Sequence, residues 1–128
     1  MESLLKKARE CGFDACGVVP VDVLSRERER LERWIGQGFH AGMNYMANNI
    51  EKRENPALLV EGARSVIVTL TNYYTPKLQS EDIPVVARYA YGKDYHRVVK
   101  DRLFKLHTCL EEVTGRKITG RAFVDSAP

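Results

Sequence analysis

The chain has 128 residues, 44% of them hydrophobic and 29% charged, and a formal net charge of +3. That size suits one globular domain with a core of ordinary extent, and no apolar run approaches the roughly 20 residues of a membrane-spanning helix. The start Met1-Glu2-Ser3-Leu4-Leu5-Lys6-Lys7 lacks the order of a secretory signal, so a cytoplasmic protein without membrane contact is expected.

Residues from about Glu2 to Glu10 suit a short helix, with Leu4, Leu5 and Ala8 on one face and Gly12 as a C-cap. A strand is expected over Ala15-Cys16-Gly17-Val18-Val19, closed by Pro20. Ser25 offers an N-cap for a helix that buries Leu31, Trp34 and Ile35 before Gly36 and Gly38 stop it. Four arginines and three glutamates between Arg26 and Arg33 mark the exposed face of that helix, laced with weak pairs. Ser65-Val66-Ile67-Val68-Thr69-Leu70 is β-branched and nearly continuous in apolar character, as in a strand covered on both faces. The stretch from Tyr73 to Ile83, with Pro76, Ser80 and then Pro84, reads as a surface loop.

Asp94 caps a predicted long helix whose apolar positions Tyr95, Val99, Leu103, Leu106, Leu110 and Val113 recur at helical spacing and stop at Gly115. A final strand is expected at Arg121-Ala122-Phe123-Val124-Asp125. Ser126 and Pro128 then look like the N-cap and first turn of a further helix, so a piece of a longer protein is expected. Alternating helices and strands predict an α/β or α+β sheet with helices packed on it, its remaining elements lying downstream.

Familiar chemical motifs are missing. The sequence has no phosphate-binding glycine loop, no Gly-x-Gly-x-x-Gly and no HExxH, and no serine or cysteine is tied to a His-Asp pair. His40, His96 and His107 sit in separate segments, and no metal site is expected from them. Cys11, Cys16 and Cys109 match neither a zinc site nor a disulfide framework, and are expected as reduced, mostly buried thiols. From Arg88 to Lys105 six basic residues stand against two acidic ones, an excess that suits phosphate contact or a solvated helix face.

Beyond composition, five segments in order carry a resemblance. Arg88-Tyr89-Ala90-Tyr91-Gly92-Lys93-Asp94-Tyr95-His96 and Val124-Asp125-Ser126-Ala127-Pro128 are the specific ones. Gly38-Phe39-His40-Ala41-Gly42-Met43-Asn44-Tyr45-Met46, Arg53-Glu54-Asn55-Pro56 and Gly62-Ala63-Arg64-Ser65-Val66-Ile67 support them. Together they resemble the N-terminal part of the epoxyqueuosine reductases, over nearly the whole chain from Gly12.

The resemblance implies one N-terminal domain on the cobalamin side of an oxidoreductase that reduces epoxyqueuosine in tRNA to queuosine. Electrons would come from an external donor through two [4Fe-4S] clusters. Their ferredoxin-like cysteine runs do not occur in this sequence, so the iron–sulfur domain is expected downstream and the chain alone is expected to be inactive.

Asp125 matches the family's aspartate and is expected to donate the proton that quenches charge on the epoxide oxygen, with Phe123, Val124 and Ala127 raising its pKa by desolvation. A helix-capping role is the bland alternative. Tyr89, Gly92, Tyr95 and His96 are the expected corrin contacts, with His96 not ligating cobalt. Asn72 and Tyr73 form a further group at the end of the apolar strand, where α/β sheets often hold ligands. Lys93, Arg97 and Lys100 are the expected tRNA phosphate contacts. Two rival readings are a flavin-dependent reductase domain and a non-catalytic tRNA-binding module. Oligomeric state stays open.

Overall fold

Leu4 and Ala8 fall on one side of a helix, and the computed structural model, which describes residues 2–125, forms α1 there (Glu2–Glu10). After a turn at Gly12 the chain runs through β1 (Ala15–Pro20) and α2 (Ser25–Gly36). A 3-10 turn (Asn44–Ala47), the short α3 (Ile50–Glu54) and a second 3-10 turn (Pro56–Leu58) follow. β2 (Ser65–Leu70), a third 3-10 turn (Arg88–Ala90) and α4 (Tyr95–Thr114) complete the regular elements. The two strands pair antiparallel: Asp14 N donates to Leu70 O at one end and Val21 N to Arg64 O at the other. The architecture is α/β.

The described chain separates into two compact units. One gathers residues 2–17, Ile67–Ile118 and residues 122–125. Here α1 packs on α4, and Ala8, Cys11, Phe13 and Leu106 are buried together, with Leu4, Cys16, Ile67, Val99, Leu103, Cys109 and Leu110 against them. Arg102 adds a polar tie, its guanidinium donating to Gly12 O at 2.8 Å. At the far end, Gly115 takes the left-handed φ of 66° that closes α4, and Glu111 accepts from Ile118 N to hold the exit.

The other unit comprises Val18–Val66 and Thr119–Arg121. In it α2 packs on α3, and Arg28 pairs with Glu32 at 2.9 Å and with Glu54 at 2.6 Å. Trp34 and His40 meet with ring centroids 6.0 Å apart.

Several expectations need correction. The core is smaller than expected of a chain this size, with four buried hydrophobic residues among the described residues. β2 is not covered on both faces: Val68 and Leu70 are 51% and 61% exposed, because β1 and β2 are the only strands of the sheet among the described residues. Leu31, Trp34 and Ile35 do face inward on α2, but each is half-buried. Leu24, not Ser25, occupies the N-cap of α2, since Leu24 O accepts the first helical bond from Arg28 N. Val113 lies 56% exposed near the end of α4, past the reach of α1.

Residues 121–125 are irregular rather than a strand. β-branched and aromatic side chains favour a strand only where a neighbouring strand accepts its ladder. The expected cap at Ser126 and turn at Pro128 lie outside the described residues. Among the described residues, no helix is long and apolar enough to cross a membrane.

Candidate functional site

The N-terminus of α4 is built by two local devices. Gly92 adopts φ 88°, a left-handed conformation that L side chains rarely adopt, and turns the chain out of the 3-10 segment toward the helix. Asp94 then caps α4, its Oδ1 accepting from His96 N at 3.0 Å. Tyr95 and His96 are thereby fixed in the first turn.

Two more hydrogen bonds and one close histidine–carboxylate contact make this end a network. Asp94 Oδ1 also lies 2.8 Å from His96 Nδ1. On the other side of the ring, His96 Nε2 is 3.0 Å from Asp125 Oδ1. Tyr95 donates its hydroxyl to Asp125 Oδ2 at 2.6 Å. Asp125 is thus held through both carboxylate oxygens by neighbours 29 and 30 residues earlier in the chain. Its carboxylate is 62% exposed, so the apolar enclosure expected from Phe123 and Val124 is not there, and Ala127 lies outside the described residues. Polar contacts with Tyr95 and His96, not burial, define its surroundings.

The electrostatics follow from those contacts. The hydrogen bond to Asp125, and then burial, push the Tyr95 phenol up to about 12, so it remains a donor through the neutral range. His96, through its ring and then its backbone N–H, holds Asp94 below the usual carboxylate range. Asp94 is therefore an acceptor.

Aromatic rings extend the cluster. Tyr95 and His96 stack at 4.1 Å, Tyr89 meets Tyr95 edge-on at 6.0 Å, and Tyr73 meets Tyr89 edge-on at 6.5 Å. Tyr89, Ala90, Gly92, Lys93, Asp94, Tyr95 and His96 line an open hollow of about 300 Å³. A larger hollow of about 420 Å³ between α1 and α4 is lined by Glu10, Cys11, Phe104, Lys105, Thr108 and Cys109. Burial, followed by contact with Cys109, pushes the Cys11 thiol up, away from the reactive thiolate. The smaller hollow, where polar and aromatic side chains converge, is the stronger site.

The structure brings together Tyr73, Tyr89, Gly92, Lys93, Tyr95, His96 and Asp125. Asn72 does not join them through its side chain, whose Oδ1 accepts from Tyr74 N at 2.9 Å in a local turn. Lys93, Arg97 and Lys100 are all exposed, and Arg97 and Lys100 share a face of α4. The other basic residues of that run are occupied elsewhere: Arg88 lies 4.7 Å over the Tyr74 ring, and Arg102 is tied to Gly12. Asp94 was legible as a cap but not as a partner of the histidine ring. The Asp-x-His spacing was the available signal, since a capping aspartate two residues before a histidine reaches both its backbone and its ring.

Comparison with known proteins adds the following. The family model "Epoxyqueuosine reductase QueG, DUF1730" matches residues 53–126, which include the whole cluster from Tyr73 to Asp125. The epoxyqueuosine reductase of Leadbetterella byssophila is 46% identical over 121 residues, covering 94% of this chain and 40% of its own length. That of Cyclobacterium marinum is 45% identical over 125 residues, covering 96% and 40%. The chain thus spans about 40% of the length of these curated relatives. Among solved structures, epoxyqueuosine reductase from Streptococcus thermophilus superposes with a TM-score of 0.75 at 26% identity, over 88% of this chain and 31% of that one. An epoxyqueuosine reductase crystallised with a tRNA-Tyr epoxyqueuosine-modified stem loop gives 0.71 at 28% identity, over 87% and 31%.

Proposed function

The chain belongs to the epoxyqueuosine reductase QueG, DUF1730 family, and we propose that it is the N-terminal, cobalamin-side domain of an oxidoreductase that reduces epoxyqueuosine in tRNA to queuosine. The observation that carries this reading is the convergence of Tyr95 and His96 on the two oxygens of Asp125. A carboxyl group fixed in that way is oriented before substrate arrives, which is what a general acid requires. As a C–O bond of the epoxide breaks, charge gathers on oxygen, and Asp125 delivers the proton that neutralises it. Its exposure leaves it accessible to a nucleotide.

The residues present fit one wall of a cobalamin site. Tyr73 and Tyr89, 66% and 54% exposed, offer ring faces to a large flat ligand, and open space surrounds the position a Cβ would take on Gly92. Tyr73, Tyr89, Gly92, Tyr95 and His96 would hold the corrin. Cobalamin, when bound, supplies the reduced cobalt centre for electron transfer. Both ring nitrogens of His96 are engaged by carboxylates, which argues against its ligating cobalt.

The two [4Fe-4S] clusters and the docking of an external electron donor belong to the remaining length of the full protein in this reading. Lys93, Arg97 and Lys100 would meet tRNA phosphates, and in this reading the protein works in the cytoplasm. The fit to a tRNA-bound structural relative supports the RNA assignment.

The test is Asp125→Asn in the full-length protein, read by nucleoside analysis of tRNA. The expected result is accumulation of epoxyqueuosine, with turnover reduced roughly 10²- to 10⁴-fold and tRNA affinity retained. Undiminished queuosine formation would remove Asp125 as the acid. A yellow, flavin-containing preparation in place of a red one would replace the cofactor.

A further inference from the structure

Among the described residues, 71–94 hold a single regular element, the 3-10 turn Arg88–Ala90. Without a ladder or a longer helix to fix its backbone, this loop relies on side chains, and burial gives little help: Val85 is 94% exposed. One side chain ties several parts of it together. Gln79 Nε2 donates to Pro84 O at 2.6 Å, while Gln79 Oε1 accepts from Val86 N at 2.9 Å and from the Tyr91 hydroxyl at 2.7 Å. The chemistry of the partners forces this orientation of the amide. A carbonyl only accepts and a backbone N–H only donates, so Nε2 must face Pro84 and Oε1 must face Val86.

The partners of Gln79 bracket Tyr89. Val86 precedes the 3-10 turn and Tyr91 follows it, so bonding both to one oxygen fixes the two ends of the segment that carries the Tyr89 ring. Within that turn, Arg88 donates to Thr75 O at 3.4 Å and lies 4.7 Å over the Tyr74 ring. Those contacts set Tyr89 beside Tyr73, which it meets edge-on. Both rings are more than half exposed, so packing does not hold them in place. Their orientation is inherited from the backbone beneath.

We propose that Gln79 is a positioning residue for the cobalamin site: its amide holds the turn that presents Tyr89, beside Tyr73, to the corrin. This inference rests on the reading of Tyr73 and Tyr89 as part of the corrin wall. A ring held in place before the ligand arrives loses less conformational freedom on binding than one carried by a free loop. Glutamine suits the task because it offers one donor and one double acceptor on a single planar group. Glutamate has no donor for Pro84 O, and lysine has no acceptor for Val86 N and the Tyr91 hydroxyl. Gln79 acts through Tyr89 and not by touching the ligand.

Gln79→Met keeps the length of the side chain and removes all three hydrogen bonds. In the full-length protein, titrated with hydroxocobalamin and followed by visible absorbance, it should raise the Kd for the cofactor roughly 10-fold. In the unliganded protein, hydrogen exchange at the Val86 amide should speed up, since that N–H loses its acceptor. Gln79→Glu, which keeps the acceptors and loses the donor, should fall between the wild type and Gln79→Met in both readouts, and it carries the test if the methionine variant does not fold. Faster exchange with an unchanged Kd would reduce the clasp to loop stability and overturn the proposal, as would exchange that does not change at all. Tyr89→Ala is the control for the reading beneath it. If Tyr89→Ala weakens cobalamin binding while Gln79→Met does not, only the role of Gln79 is lost. If Tyr89→Ala leaves the Kd unmoved, the corrin wall itself has failed.

Discussion

The two ends of α4 do opposite work with the same backbone. Toward its C-terminal half, Leu103, Leu106, Cys109 and Leu110 lie in or against the buried cluster beside α1. At its first turn, Asp94, Tyr95 and His96 face an open hollow, where Tyr95 hydrogen-bonds Asp125 and His96 Nε2 lies 3.0 Å from its other oxygen. The packed half supplies rigidity and the open half spends none of it on burial. A site that must admit a nucleotide can stay exposed and still be oriented, provided the helix that carries it is anchored elsewhere.

The contrast is broken most severely from the packed end. Leu106 is 3% exposed, and Leu106→Ala should cost about 2–5 kcal/mol, read as a lower denaturant midpoint. If the midpoint barely moves, the anchor lies elsewhere. Replacing Lys93, Arg97 and Lys100 with glutamine in the full-length protein leaves both ends folded. It should flatten the salt dependence of tRNA binding by roughly 0.7 for each phosphate that is no longer neutralised, measured by titration at several ionic strengths. An unchanged slope would detach these cations from the RNA.

Titration sharpens the same contrast more gently. The Tyr95 phenol is raised to about 12, so its bond to Asp125 contributes stability that is fully present below the ordinary phenol value of about 10 and is lost as pH rises through the folded value. Asp125→Asn should therefore make one tyrosine ionise earlier, seen as tyrosinate absorbance. The smallest effect concerns Asp94. Its folded value is depressed, so its contribution is present above the ordinary carboxylate value of about 3.9 and is lost as pH falls through the lower folded value. Asp94→Ser should flatten the acid limb of the stability curve there.

Much of α4 was legible in the sequence. Asp94 and Gly115 are strong local stop signals, and the apolar spacing between them follows one helical face. The same local logic failed at residues 121–125, which are irregular despite their strand-forming side chains. It also passed over α3 and the 3-10 turns around it, which are too short to show a period. In the site, the tyrosines and the histidine were legible as a group because they are neighbours in sequence. Their meeting with Asp125 was not, since spacing says nothing about a contact made across the entire length of α4. Asn72 illustrates the converse: it stands near the right place, but a turn claims its side chain.

Gly92 carries a consequence of handedness. Nothing lies within 4 Å of where its Cβ would stand, so its φ of 88°, and not lack of room, is what selects glycine. L-alanine there would meet a penalty of about 1–2 kcal/mol in that left-handed conformation. A chain assembled by chemical ligation with D-alanine at this position would meet none. The mirror-image residue prefers the turn that the site requires, and by restricting the unfolded chain it should make the protein more stable than the natural sequence by about 0.4–1 kcal/mol.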